Sequence, residues 1–273
     1  RRSPKHTMAL RPDNRFTTGG SAWTQPLGRA STDAAVLDAG LRAYMLRVYN
    51  WMASGLALTG IVAYVIANTA LSQAFYTVGR TQSGYLVTQP TLLGWAAILA
   101  PLAFVLVLSF GVNRMQKTTV QALFWAFAAA MGASMANLFV IYAGTSIATT
   151  FFVTAGMFAA VSLYGYTTNR DLTRMGSFLM MGLIGIIIAG LVNMFVGSTA
   201  LQFAISVLGV LIFTGLTAYD TQRIKADYIE FAYAEGSDEA AKRSVFDALG
   251  LYLNFVNLFQ FMLQFMGVRN QSN

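Results

Sequence analysis

Seven apolar runs, at 48–68, 92–112, 119–142, 147–167, 176–196, 201–220 and 246–266, constrain this chain more than anything else in it. Each is close to the roughly 20 residues with which a helix crosses a hydrocarbon core about 30 Å thick. In lipid only helices and closed barrels satisfy every backbone N–H and C=O, and these runs are continuous where barrel strands would alternate. The expected fold is an all-α membrane protein, a bundle of seven transmembrane helices. Composition agrees: 56 % hydrophobic and 11 % charged residues among 273 suit a membrane protein and not a pair of soluble domains.

Charge sets the orientation. By alternation, Arg114, Lys117, Arg170, Arg174, Arg223, Lys225, Lys242 and Arg243 fall on the side of the basic N-terminal stretch, leaving only Arg80 and Arg269 of the 18 lysines and arginines opposite. Basic flanks stay cytoplasmic, so the N-terminus is expected in the cytoplasm and the C-terminus outside. These charges lie between apolar blocks, so the net +7 speaks for topology and against a nucleic-acid partner.

Residues 1–40 are polar and aperiodic, and are expected to form a disordered basic cytoplasmic tail ahead of a transmembrane domain at 41–273. The sequence opens at Arg1. Met8 is the expected initiator with residues 1–7 added ahead of it, or the chain is processed; the Arg-rich opening lacks the amphipathic period of a transit peptide. Cysteine is absent and the single histidine, His6, lies in the tail. Disulfides, His/Cys metal sites and Ser-His-Asp or Cys-His machinery are thereby excluded. No enzyme chemistry is visible, and no cofactor is expected.

The links at 144–146 and 197–200 are short enough to make the spans they join antiparallel neighbours. Ala128 with Gly132, Ala129 with Ala133, Gly156 with Ala160 and Gly185 with Ala189 have the spacing of close helix contacts. The methionines read as packing filler. The longer outer link, 69–91, holds Gly79, Gly84 and Pro90 and is expected to be mobile or to cover the bundle.

One carboxylate breaks the apolar pattern. Asp220 closes the sixth run before any basic flank begins, and a charge within a span costs roughly 2.5–3.5 kcal/mol on insertion scales, so it needs a partner and marks a candidate site. The sixth and seventh runs, folded as an antiparallel pair about Gly236-Ser237, place Asp220 opposite Asn254 and Asp227 opposite Asp247. Asn257, Gln260 and Gln264 continue the polar marks along the seventh helix, toward the bundle interior or a water path. Arg223 and Lys225 read as ordinary interface charges.

The stretch Gly-Leu-Thr-Ala-Tyr-Asp-Thr-Gln-Arg-Ile-Lys at 215–225, with Leu-Tyr-Leu-Asn-Phe-Val-Asn-Leu-Phe at 251–259, resembles the signature of the Bax inhibitor-1 family, in its bacterial branch. The resemblance covers about 41–267, including Tyr-Met-Leu-Arg-Val-Tyr-Asn-Trp-Met at 44–52. It implies a multi-pass protein of the bacterial inner membrane with the seventh helix central. It also implies a cation leak, calcium above all, gated by a sixth-helix acid that shares a proton with an acid at the position of Asn254. Asn254 cannot titrate, so that acid pair is unavailable in this chain.

Two compensations remain open. Asn254 donates its amide to Asp220 while Arg114 supplies the balancing charge; or Asp247, seven residues earlier and about 10.5 Å along the same face, takes over part of the acid's work. The first is preferred, because Asp247 sits where solvent reaches it. The expected function is a pH-modulated cation leak channel, probed by Asp220, Asn254, Arg114, Asp247 and Asn257, with Asp220 a transient calcium ligand. One carboxylate and a few amide oxygens are too thin a set for tight calcium binding. The alternative is a regulator that binds a membrane-bound AAA protease or another membrane protein, as the resemblance implies for some bacterial relatives.

Overall fold

The computed structural model describes residues 27–80, 86–111, 115–231 and 237–270. Its elements in order are α1 (Leu27–Ala67), α2 (Ser72–Phe75), β1 (Tyr76–Arg80), β2 (Leu86–Pro90), α3 (Leu92–Gly111), α4 (Lys117–Ile141), α5 (Gly144–Thr167), α6 (Thr173–Val196), α7 (Thr199–Phe231) and α8 (Ser237–Met266). Two compact units divide the chain, 1–40 and 41–273. Within the first, 27–40 is the opening of α1, where the sequence reading expected an unstructured tail. This stretch follows Pro26, contains no further proline and carries four alanines and two leucines, both good helix formers. Residues 1–26, and with them the readings of Met8 and His6, lie outside the described residues.

Six helices are long and apolar enough to cross a membrane: Val36–Ala67 within α1, then α4, α5, α6, α7, and Asp238–Met266 within α8. The expected second span is α3, 20 residues long with Pro101 inside it and a shorter apolar stretch, Leu92–Leu108. The apolar ends were placed well, yet α7 runs 11 residues past Asp220, and α8 begins nine residues before position 246. Lipid thickness limits the apolar run, but it does not end a helix. Lysine, arginine, glutamate and alanine carry both helices onward, Asp238 and Glu239 favour the positive end of α8, and Lys242 pairs with Glu239 at 2.6 Å. Gly236, the expected turn residue, lies outside the described residues.

The described parts of the 69–91 link, 69–80 and 86–91, are folded. β1 and β2 pair antiparallel from Tyr76↔Pro90 to Arg80↔Leu86. The buried Tyr76 hydroxyl donates toward the carbonyls of Ala133 (3.0 Å) and Ser134 (2.9 Å), fastening the hairpin to α4. Burial pushes that phenol up to about 12, which keeps its proton on at neutral pH.

Within lipid, apolar surface gains nothing by leaving one hydrocarbon for another, so close packing and interhelical hydrogen bonds hold the helices. α8 is the innermost: 61 % of its apolar window is buried, against 6 % for α6. Tyr252 of α8 is fully buried, edge-on to Phe124 and Phe127, and its hydroxyl lies 2.6 Å from that of Thr59, which donates to Ala128 O. Among the expected small-residue contacts, Gly132 is a true one, since a methyl group there would stand 2.7 Å from Thr59 O of α1. Gly156 and Gly185 face open space instead. The unforeseen contacts are Gly165 against the Ala218 carbonyl, Gly176 beneath Tyr219 and Gly209 beneath Phe261.

Candidate functional site

Asp220 sits on α7 about 16 Å before that helix ends, at 1.5 Å per residue, with its side chain only 14 % exposed. Asn254 of α8 donates through Nδ2 to its Oδ2 at 2.7 Å. This is the pairing expected from the antiparallel register, and Asn254 is itself buried. The other oxygen, Oδ1, faces Arg223 Nη2 at 3.1 Å, one turn along α7. The balancing cation among the described residues is therefore Arg223, which the sequence reading had left as an interface charge; Arg114 lies outside the described residues. Arg223 was legible in principle, because i,i+3 spacing on a helix brings a guanidinium back to a carboxylate.

Arg223 also occupies the space opposite Gly250, where a Cβ would stand 4.0 Å from Nη2, and its ring neighbour is Tyr219, 5.9 Å away. Three levels of α7 thus meet three of α8: Asp220 with Asn254, Arg223 with Gly250, and Asp227 within electrostatic reach of Asp247. The Asp247 carboxylate accepts from the Tyr44 hydroxyl at 2.6 Å and feels Arg223 and Arg243 as well. Asp247 is therefore held by α1, and joins the same charged ladder as Asp220 through Arg223.

The neighbours of the acid each tie α7 to a different element. Thr221 meets Ser162 of α5 at 2.9 Å, and Ser162 meets the Tyr49 hydroxyl of α1 at 2.5 Å. Gln222 accepts from Leu172 N and donates to Arg170 O, clamping the link between α5 and α6. Lys225 donates to Tyr166 O and lies 5.1 Å from that ring's centroid. Sequence reasoning assigned Thr221 and Gln222 no role; their polarity beside a buried acid was the only signal. A recess of about 380 Å³, bounded by Asn169, Asp171, Gln222 and Asp227, opens onto Arg223. Asp171 on its rim accepts from Thr173 N at the start of α6, and the Thr173 side chain first, then this backbone bond, hold its carboxyl below the usual carboxylate range.

Toward the opposite end, Asn257 is partly buried on α8, and Gln264 accepts from Gln202 and Ser206 of α7. Gln260, Gln264, Asn137 and Arg269 line a second polar recess of about 520 Å³. Between this recess and Asp220 lies apolar packing that includes Phe213 stacked on Phe261, with Leu258 fully buried. No cluster of three or more metal-ligating carboxylate, histidine or cysteine side chains occurs among the described residues.

A buried acid, paired with an arginine of its own helix and an asparagine of the next, inside a bundle of helices long and apolar enough to cross a membrane defines a polytopic membrane protein. Residues 41–271 match the family described as inhibitor of apoptosis-promoting Bax1, and the chain belongs to that family. It is 46 % identical over 251 residues to an uncharacterized protein of Caulobacter vibrioides, covering 91 % of this chain and 96 % of that one. An uncharacterized protein of Rickettsia prowazekii is also 46 % identical over 233 residues, 85 % of this chain and 92 % of the relative. The inner membrane protein YbhL of Escherichia coli K12 is 43 % identical over 231 residues, 85 % of this chain and 94 % of YbhL. The chain is a multi-pass inner-membrane protein.

Proposed function

We propose that the chain is a cation leak channel, with calcium as the permeant ion and Asp220 as the acid the ion meets within the membrane. The observation that carries this reading is the double engagement of the Asp220 carboxylate, by Arg223 at 3.1 Å and Asn254 at 2.7 Å, on a helix long and apolar enough to span. Both oxygens are occupied by protein groups, so an entering cation must take the place of the Arg223 guanidinium. Arg223 acts on this reading as a tethered stand-in for the ion. Its side chain is 45 % exposed, borders the 380 Å³ recess and has Asp227 and Asp247 one level away to receive it.

The path runs from that recess past Asp220 and Asn254, then by Asn257 to the amide-lined recess at Gln260 and Gln264. The Phe213–Phe261 and Leu258 packing between them is the closed barrier. On this reading α3 is the remaining span of a seven-helix bundle. Calcium is cargo and not a resident cofactor, and the chain performs no catalysis. Calcium carried by hard oxygens fits brief passage at one carboxylate and several amides better than tight binding. The test is calcium entry into liposomes that hold a calcium dye: the full chain admits calcium, and Asp220→Asn lowers the rate at least several-fold. Equal flux from the two proteins between about pH 6 and 8 removes Asp220 from the path.

A further inference from the structure

Between α1 and α5 lies a cleft of about 950 Å³, walled by Leu56 and Ala57 on one side and Ala155 and Ala159 on the other, with Phe255 of α8 behind. A second apolar hollow of about 300 Å³ shares Leu56, Gly60, Phe151 and Phe255 with it and continues toward Ala63 and Gly144. From Arg42 to Ala63 the α1 wall rises about 32 Å, the depth of a hydrocarbon core. The rim residues Leu46, Ile61 and Leu163 are all exposed, so the cleft opens sideways into the bilayer.

Polar groups collect at one end of the cleft. Arg42 stands there, exposed and with no ion-pair partner among the described residues. Two turns further along the same face is the Tyr49 hydroxyl, bonded to Ser162 on the facing helix. Tyr166 closes that end, with the Lys225 ammonium held at its carbonyl. The other end is walled by aliphatic and aromatic carbon from Ile61, Phe151 and, in the continuing hollow, Ile147 and Phe152, and the Thr59 hydroxyl there is taken up by Ala128 O. Charge and shape together choose the occupant: a narrow apolar trough about as deep as a hydrocarbon core suits one slender acyl chain, and the exposed Arg42 at its mouth suits an anionic headgroup.

We propose that this cleft seats one acyl chain of an anionic membrane phospholipid, entering from the bilayer, with the headgroup at Arg42. The polar end matches a phosphate and glycerol backbone, and the narrow apolar trough matches the chain. A guanidinium is well suited to phosphate, which it can meet with two parallel N–H bonds.

The proposal is tested on the full chain purified in detergent and titrated with dioleoyl phosphatidylglycerol or dioleoyl phosphatidylcholine, reading bound lipid by native mass spectrometry. The wild type retains one phosphatidylglycerol per chain in preference to phosphatidylcholine. Ala159→Trp and, on the opposite wall, Ala57→Trp each fill the trough and lower retention at least ten-fold. Arg42→Gln abolishes the preference for the anionic lipid while phosphatidylcholine retention is unchanged, and Ile188→Trp on the lipid-facing side of α6 changes neither. Circular dichroism identifies any variant that fails to fold, and the other wall variant and Arg42→Gln then carry the test. The proposal is overturned by a wild type that retains no phosphatidylglycerol or shows no preference, or by folded wall variants that retain it like the wild type. A dimer that the wall variants dissolve also overturns it, and assigns the cleft to a second copy.

Discussion

Asp220 is held by unequal partners, and their removal has opposite consequences. Arg223 competes with a passing cation for Oδ1, so Arg223→Gln should raise calcium entry into dye-loaded liposomes several-fold, whereas Asp220→Asn should lower it. If both variants reduce flux alike, Arg223 is part of the path's scaffold and not the ion's competitor. Asn254→Asp introduces a second titrating carboxylate 2.7 Å from the first, and neighbouring carboxylates in a low-dielectric site do not ionise independently. Flux should then acquire a steeper dependence on pH between about 6 and 8 than the wild type has, measured in the same liposomes; an unchanged slope counts against proton control at this level. Tyr76 gives a separate prediction at the hairpin. Its phenol, at about 12 in the folded chain against about 10 when exposed, contributes stability that is complete below pH 10 and lost as pH rises through 12. Tyr76→Phe removes the bonds to α4 at a cost of about 1 kcal/mol, and faster amide exchange in β1 and β2 is the expected signal.

At the scale of elements, α5 and α7 approach so closely at Gly165 that a side chain would meet the Ala218 carbonyl, and backbone cannot move aside as a flexible side chain can. Gly165→Val should cost about 1–3 kcal/mol or more, seen as a lower melting temperature in detergent, while Gly156→Val, in open space, should change little. That contrast also marks how far the sequence could be read. Apolar length fixed the helices' existence, and antiparallel register placed Asn254 on Asp220, because both follow from one-dimensional spacing. Which small residues touch which helix depends on the rotation of each helix about its axis, and continuous apolar runs carry almost no such phase. Gly156 and Gly165 therefore looked alike as sequence. The polar ends of α7 and α8 were underestimated because hydropathy reports where lipid stops, not where the helix does. The β1–β2 hairpin left in the sequence little more than Tyr76 and Val78 alternating with Thr77 and Gly79, a weak pattern beside seven long apolar runs.

For the whole molecule, α3 sets the sidedness of everything that follows it. Gly55 of α1 meets Phe124 of α4, and Thr59 meets Ala128 and Gly132, so α1 and α4 run parallel; α3 carries the chain back between them, and Gln73 and Asp238 lie toward opposite ends of the bundle. The positive-inside pattern argues for crossing, since it leaves Arg80 and Arg269 outside and gathers the remaining basic residues in the cytoplasm. The absence of native cysteine makes the experiment clean, because any thiol introduced is the only one. Gln73→Cys and Asp238→Cys replace exposed residues, and a membrane-impermeant maleimide applied to intact spheroplasts should label the first and spare the second until the membrane is opened. Labelling of both from outside, or of neither, would overturn the crossing of α3, and with it the parallel packing of α1 on α4 that sets Thr59 against Ala128 and Gly132.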